Sequence, residues 1–439
     1  MNTNRYPFYF IAAGLLSLLL GLLCGLLAGF QYVVPDFIKE TLPFTALRPL
    51  HTLFVISWIL LTATGGIYHY LTQNKAHSLS ESYWVKAHFW IFILTGFGIA
   101  LSYLFRNFAG KEYLEFPSYF YFPIVLGWLL FGIQYFKTLA ATFKTWPVYY
   151  WMWATGIVMM IYHFTEAHLW LLPYFKSHFI QNTALQWKAG GSYVGSWNML
   201  VYGTAIYVMA KISQDERYAT SGKAFFFYFL GLTNLMFGWA HHVYIVPTAP
   251  WIRYLAYGIS MTEWIILASI IYDWKKNLAK APPIQFPMAS QFMRLADFWV
   301  FLNIILALLI SIPAINLFTH GTHITVAHSM GTTIGIYTLI LLSSVTYILE
   351  SNQYSFSVSK IRFGIRLFQT SFILFWCCLL LMGVQKANWT FFNQALSFSQ
   401  FQDAMHWFYL LFVLFGLGIF IGLYRIVFEL LNGLRQSFK

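Results

Sequence analysis

Long apolar stretches separated by short polar loops run through almost the whole chain. A helix that crosses a membrane needs about 20 predominantly apolar residues, because each residue adds about 1.5 Å. No Ser/Gly linker, low-complexity tract or internal repeat interrupts the pattern, so we expect an all-α membrane protein with one polytopic domain over residues 1–439. The runs predict about twelve transmembrane helices, at residues 8–33, 50–72, 86–106, 119–139, 148–173, 192–212, 223–244, 251–272, 296–318, 323–349, 367–385 and 403–430.

Composition and charge agree with this pattern. The chain is 59% hydrophobic and only 9% charged, against about 25% charged residues in soluble domains. Its net charge of +12 does not indicate nucleic-acid binding, because the basic residues are scattered through short loops. Most of them lie at the termini and in the even-numbered loops. By the positive-inside rule, both termini of a multi-pass protein of the inner (cytoplasmic) membrane would face the cytoplasm, with lipid as its surroundings.

Histidines collect at one predicted depth. Most of the 13 histidines fall at the outer ends of predicted helices 2, 5, 7 and 10. Polar side chains at membrane depth are costly, so they are candidates for function. The three cysteines all lie in apolar runs, which argues against a disulfide framework or a thiolate metal site. The histidines concerned are His51, His163, His168, His241, His242, His320, His323 and His328.

The stretch 321–331, GTHITVAHSMG, places two potential ligands on one helix. His328 and Met330 are two residues apart, or about 200° around an α-helix, so they project from opposite sides. Haem iron accepts His/His, His/Met or single-His ligation. A lone buried histidine is more often a hydrogen-bonded core residue, and a lone methionine is usually core filler. The presence of His51 at the same predicted depth favours ligation.

A second metal candidate is the adjacent pair His241 and His242, in WAHHVYIVP. At a helix end both rings can bend to one ion, and imidazole suits iron, copper or zinc. The alternative interpretation is a pair of interfacial histidines that face lipid headgroups or a partner protein.

Three charged residues extend the candidate chemistry. Glu263 and Glu166 lie within apolar runs, where a desolvated carboxyl could hold or relay a proton. Either could instead form a structural hydrogen bond, and Glu166, nearer the interface, could also bridge a cation. Arg48, three residues before His51, could pair with an anionic group such as a haem propionate, or face headgroups.

Four motifs together resemble the catalytic subunit (subunit I) of the haem–copper oxidase superfamily: LRPLHTLFVISW, WNMLVYGTAIYVM, WAHHVYIVP and GTHITVAHSMGTTIG. The resemblance covers residues 43–349, the expected catalytic core. It is to the twelve-helix form that nitric oxide reductases have and that is close to the C-type oxygen reductases. It implies a subunit I-like bundle with two haems, one low-spin and one high-spin, expected to be b-type. It also implies one non-haem metal, iron rather than copper.

The resemblance assigns a role to each matching residue. His51 would be an axial ligand of the low-spin haem, and His328 the proximal ligand of the high-spin haem. His241 and His242 would hold the non-haem metal opposite that haem. His320 matches a histidine near the haem propionates.

Two departures from the family leave ligands open. Met330 stands where the family has the second axial histidine, so the low-spin haem is either ligated by His51 and Met330 or lacks that ligand. Predicted helix 6 has no histidine, although the family's third non-haem ligand would fall near Gly190 or Gly191. The shell could be completed by Asn198, by an outer histidine such as His163, by Glu166, by Glu263 or by water.

Two further features favour nitric oxide as the substrate. Glu263, 22 residues after His241, matches a glutamate near the binuclear site of the nitric oxide reductases. The helix-7 tyrosine of C-type oxygen reductases would fall near Leu235, and no tyrosine lies within a turn of it. Glu263 is the favoured proton donor, with Glu166 as the other candidate.

The predicted activity is reduction of nitric oxide to nitrous oxide. Oxygen reduction and a non-catalytic haem-binding role are the alternatives. The chain has no C-x-x-C-H haem attachment motif, so electrons would come from a c-type cytochrome subunit, a soluble cytochrome or a quinol. A donor on the outer side is favoured.

Overall fold

The computed structural model describes residues 5–73, 82–244, 246–278, 285–392 and 395–438. Side chains at 140–141, 240–242, 260, 263–267, 270, 273–274 and 277–278 lie outside this description. Every described element is helical. The main helices are α1 Tyr6–Val33, α2 Phe44–Gln73, α3 Tyr83–Leu104, α4 Tyr121–Leu139, α5 Val148–Ala167, α6 Phe179–Ser213, α7 Gly222–Phe237, α8 Pro250–Leu278, α9 Pro287–Ser311, α10 His323–Ser351, α11 Val358–Phe391 and α12 His406–Leu434.

The predicted fold class, an all-α membrane bundle, is confirmed. Helices α5 to α8 lie where the apolar runs predict helices, but they are not among the eight candidate spans given next, so their crossing of the membrane stays a prediction. Within the described ranges, eight helical stretches are long and apolar enough to cross a membrane: Tyr6–Val33, Phe44–Gln73, Tyr83–Leu104, Ser118–Leu139, Pro287–Ser311, His323–Ser351, Val358–Phe391 and His406–Phe438.

Some predicted boundaries are wrong. The run 296–318 is not one helix, since α9 ends at Ser311 and a short helix, Pro313–Thr319, follows. Pro313 has no N–H to donate, and its ring clashes with the preceding turn, so the chain breaks there. Helix α6 begins at Phe179, well before residue 192, where the predicted helix begins. The residues before 192 are more polar, which ends the apolar run, but polar residues can still form a helix.

Two helices change their winding beside proposed ligands. After α7 ends at Phe237, the chain continues as a 3₁₀-helix, Gly238–Val243. Helix α10 consists of an α-helical part, His323–Met330, a π-helical part, Gly331–Thr338, and a second α-helical part, Leu339–Ser351. Such π-helical turns often occur at functional sites.

Contacts between helices bring His51 of α2, Glu166 of α5 and His328 of α10 to one end of the bundle. Arg48 of α2 pairs with Glu115 in the α3–α4 loop, and Lys111 of that loop donates to Asn182 of α6. The start of α6 in turn binds the end of α5. Helices α2 and α10 run parallel, since Trp58 bonds Thr338 and Tyr70 bonds Ser344, so α10 begins at this same end. The end of α11 packs on the start of α10. We call this the histidine end: the end where α2, α6 and α10 begin and where α5 and α11 finish.

Candidate functional site

His51 lies against helix α1, which fixes the orientation of its ring. Its Nδ1 is 2.7 Å from the carbonyl oxygen of Gly21. Because a carbonyl only accepts, Nδ1 carries the proton, and the lone pair of Nε2 can bind a metal. The ring also fills the space over Gly25, where a Cβ would come within 2.7 Å of Nδ1. A histidine held through one nitrogen in this way fits axial ligation of haem iron.

His328 and Met330 are both half-buried in the first part of α10. The hydroxyl of Thr332 donates to the carbonyl oxygen of His328 at 3.1 Å, and Asn303 of α9 donates to that hydroxyl at 2.8 Å. These bonds tie the His328 backbone to α9. An imidazole and a thioether are both haem-ligand types, so the two side chains fit the predicted role.

Two glycines let α9 approach the π-helical part of α10. A Cβ at Gly335 would lie 2.7 Å from Cγ of Trp299, and one at Gly331 would overlap the amide of Asn303. Trp299 is fully buried, and its indole N–H donates to Gln369 of α11 at 2.9 Å. Helix α9 therefore supports the segment that follows His328 and Met330.

Arg48 is already paired with two carboxylates of the α3–α4 loop. Its guanidinium binds Glu112 and, at 3.2 Å, Glu115, and it lies 5.7 Å from the ring centroid of Tyr113. Burial raises the pKa of Glu115, although Arg48 acts in the opposite direction. A haem propionate would have to share Arg48 with these groups, so its predicted pairing with a propionate stays a prediction.

His320 lies just before α10, in the connection from the short helix Pro313–Thr319. Its backbone N–H donates to the carbonyl oxygen of Asn316 at 2.8 Å and closes that helix. Burial lowers the pKa of His320, which favours a neutral ring that can offer one hydrogen bond. Its predicted position near a propionate stays a prediction.

Glu166 forms a partly buried polar group with two other residues. Its carboxylate accepts from Nζ of Lys188 on α6 and lies 2.9 Å from Nδ1 of His163. His163 is fully buried, and its Nε2 has no hydrogen-bond partner among the described residues. His168, at the same end of α5, is different, since its Nδ1 bonds the carbonyl oxygen of Phe164 at 2.8 Å.

The side chains of His241, His242 and Glu263 lie outside the described residues. The backbone of the 3₁₀-helix that carries the histidine pair packs against α6. Just before it, Leu235 is buried, and its carbonyl oxygen accepts from the Ser192 hydroxyl at 3.0 Å. Among described side chains, no group of three or more His, Cys, Asp or Glu could hold a metal ion.

Several contributing residues were missed by the sequence reasoning. The glycines at 21, 25, 331 and 335 follow a four-residue spacing, which is known to permit close helix packing and could have been noticed. By contrast, nothing in the sequence signalled that Lys188 would meet Glu166, or that Glu112 and Glu115 would meet Arg48.

Comparison with known proteins gives three findings. The family of cytochrome c and quinol oxidase polypeptide I matches residues 6–418. A nitric oxide reductase subunit of Stutzerimonas stutzeri is 24% identical over 367 residues, covering 77% of this chain and 73% of that protein. A cryo-EM structure of a heme-copper terminal oxidase dimer matches with a TM-score of 0.76, covering 97% of this chain and 84% of that one. At 14% sequence identity, this last likeness concerns the fold alone.

Proposed function

The chain belongs to the family of cytochrome c and quinol oxidase polypeptide I, and we propose that it reduces nitric oxide to nitrous oxide. It is thus a membrane-embedded oxidoreductase of the haem–copper superfamily, whose members bind haems and a further metal. In the proposed reaction, two nitric oxide molecules, two electrons and two protons yield nitrous oxide and water.

The packing around Leu235 is the observation that favours nitric oxide over oxygen as the substrate. The side chain of Leu235 is buried, and Gly195 of α6 lies so close that a Cβ there would be 3.1 Å from it. The apolar side chain of Leu235 thus occupies the position at which the resemblance would place the tyrosine of C-type oxygen reductases. Four-electron oxygen cleavage draws on that extra electron and proton donor, whereas coupling two nitric oxide molecules does not. Similarity to a nitric oxide reductase subunit supports the same choice.

The residues of the chain would divide the work as follows. His51, oriented by the Gly21 carbonyl, and Met330 would hold the low-spin haem, while His328 would hold the high-spin haem. His241 and His242 would hold the non-haem metal. When bound, these groups supply electrons and a Lewis acid that stabilises charge developing on the substrate.

Protons and anionic groups would be handled by four other residues. Glu263 would deliver the proton at the substrate, with Glu166 as the second candidate. Arg48 and His320 would bind the haem propionates at the histidine end.

The surroundings of the protein form part of the proposal. The catalytic core would lie within 43–349 of a single domain, in an inner membrane with both termini in the cytoplasm. Electrons would arrive from a c-type cytochrome subunit or a soluble cytochrome on the outer side, close to the histidine end.

Gas consumption by the purified full-length protein tests the proposal. With a reduced electron donor, we expect nitric oxide to be consumed and nitrous oxide to form. Oxygen turnover without nitric oxide turnover would instead assign the protein as an oxygen reductase. Metal analysis should give two haems and one non-haem iron per chain, and haems without the third metal would point to a non-catalytic haem protein.

A further inference from the structure

The position of His163 suggests a ligand for the metal that His241 and His242 are proposed to hold. Helices α5, α6 and α7 form a group in which each contacts the other two. Tyr228 of α7 bonds Thr155 of α5 at 2.7 Å, and Ser192 of α6 bonds the backbone of α7 at Leu235. The Glu166–Lys188 ion pair links α5 to α6. The end of α5 therefore lies in the same helix group as the proposed metal-binding pair.

Contacts along α5 and α6 place His163 within about one helical turn of the glycines of α6. Besides the Glu166–Lys188 pair, the rings of Phe164 and Tyr193 lie 5.7 Å apart. Because the two helices are antiparallel and both rise about 1.5 Å per residue, these two contacts place His163 level with residues 191–194. The family resemblance would place the absent helix-6 histidine at Gly190 or Gly191, within about one turn of that level.

Space is available beside Gly190. A Cβ built on Gly190 would meet no other atom within 4 Å. With no side chain at Gly190 or Gly191, α6 does not occupy the volume that a histidine there would fill.

The hydrogen bonding of His163 is that of a ligand histidine. Nδ1 lies 2.9 Å from the Glu166 carboxylate, while Nε2 is buried and has no hydrogen-bond partner among the described residues. A buried polar atom without a partner is destabilising unless another group, such as a metal ion, satisfies it. Metal-bound histidines commonly bond a carboxylate through the second nitrogen, which fixes the tautomer and makes the ring more basic. Lys188 in turn holds Glu166 in place.

We propose that His163, oriented by Glu166 and Lys188, supplies the third imidazole to the non-haem metal in place of the absent helix-6 histidine. This inference rests on the proposed function, since it assumes that His241 and His242 bind a metal. It makes Glu166 a positioning residue rather than a proton donor.

Metal retention tests the inference without reference to activity. Full-length His163→Ala should keep both haems but lose the non-haem metal during dialysis against a chelator, at least about 10-fold faster than the wild type. His168→Ala is the matched control and should retain the metal, because His168 lies at the same end of α5 and bonds only a backbone carbonyl. Gly190→His in the His163→Ala background should restore retention, since the space beside Gly190 is open.

A milder variant covers the case in which His163→Ala fails to assemble. Glu166→Gln keeps the imidazole and its hydrogen bond but removes the carboxylate charge, and it should weaken metal binding by about 10- to 100-fold. Wild-type metal retention in a His163→Ala protein that keeps both haems would overturn the inference and leave the proposed function intact. If His163→Ala fails to assemble, wild-type retention in Glu166→Gln would do the same. A wild-type protein that carries two haems and no non-haem metal would overturn both.

Discussion

At the residue scale, His51 illustrates how neighbouring residues orient a proposed ligand. One ring nitrogen is committed to the Gly21 carbonyl, and the ring packs directly on Gly25. Both partners are on α1, a helix that carries none of the proposed ligands. The orientation of His51 thus depends on a residue that has no side chain.

Replacing Gly25 should therefore disturb the low-spin haem. In Gly25→Ala, the new methyl group would lie 2.7 Å from Nδ1 of His51, so the ring must move, at a cost of about 1–3 kcal/mol. We expect a shifted or weakened low-spin band in the optical spectrum, and a changed reduction potential. Gly96→Ala is the control, since a Cβ there meets nothing within 4 Å. Equal spectra for both variants would count against His51 as a ligand.

Met330 can be tested by a substitution that keeps its volume. Met330→Leu removes the sulfur with little change in packing. If the thioether ligates iron, the near-infrared and Soret features of the low-spin haem should change and its reduction potential should fall. Met330→His should instead give the spectrum of a haem with two histidine ligands. An unaltered spectrum in both variants would remove Met330 from the ligand set.

The sequence identified the candidate ligands but not their supports. Histidines at membrane depth are rare enough to be noticed one by one, which is why His51 and His328 could be selected. The bond from His163 to Glu166 and the pairing of Glu166 with Lys188 depend on how α5 and α6 align. Such contacts between distant residues leave no periodic signal in the sequence.

At the element scale, α10 combines close packing with an unusual winding. Its π-helical part directly follows Met330, and α9 packs into the notch that Gly331 and Gly335 provide. Trp58 of α2 donates to the Thr338 hydroxyl at 3.1 Å, where the π-helical part ends. Neighbours thus hold this segment at both ends.

Filling the notch should destabilise the bundle. In Gly335→Ala the added methyl group would lie 2.7 Å from Cγ of buried Trp299, which we expect to cost about 1–3 kcal/mol. Thermal unfolding in detergent, followed through the haem absorbance, measures the loss. Gly258→Ala in α8 should be neutral or stabilising by up to about 1 kcal/mol, because its Cβ meets nothing within 4 Å. Similar unfolding temperatures for both variants would show that the notch is not needed.

Hydrophobic runs predicted the helices well, but not their internal breaks. The apolar run 50–72 predicts the C-terminal end of α2 to within one residue, since length and apolarity define a spanning helix. The π-helical turn of α10 could not be foreseen, because Gly331–Thr338 has the same apolar character as an ordinary helix. Pro313 was a visible signal, and the continuous run 296–318 was predicted in spite of it.

At the scale of the whole molecule, the bundle places its proposed chemistry at one end. Contacts among helix starts and finishes bring His51, Glu166 and His328 to the histidine end, and a cytochrome donor would dock on that side. The orientation of the bundle in the membrane therefore decides on which side an electron donor must bind. Only the charge distribution predicts that orientation.

Reporter fusions test that orientation. After Lys439, a reporter that works only in the cytoplasm should be active, and a reporter that works only outside the cytoplasm should be inactive. A reporter inserted in the α3–α4 loop near Gly110, at the histidine end, should be active only in the form that reads the outer side. The opposite pattern would put the histidine end in the cytoplasm and exclude an outer cytochrome as the donor.

The π-helical part of α10 also affects how this chain is compared with its relatives. A π-helical turn holds about one residue more than an α-helical turn. In a continuous α-helix, the side chains of Leu339–Ser351 would have a fixed angular relation to those of His323–Met330. The π-helical part between them rotates this relation. An alignment without a gap across Gly331–Thr338 would pair residues that face different neighbours wherever the relative has no such turn. Ancestral reconstructions and motif searches that follow this helix should allow a one-residue insertion there.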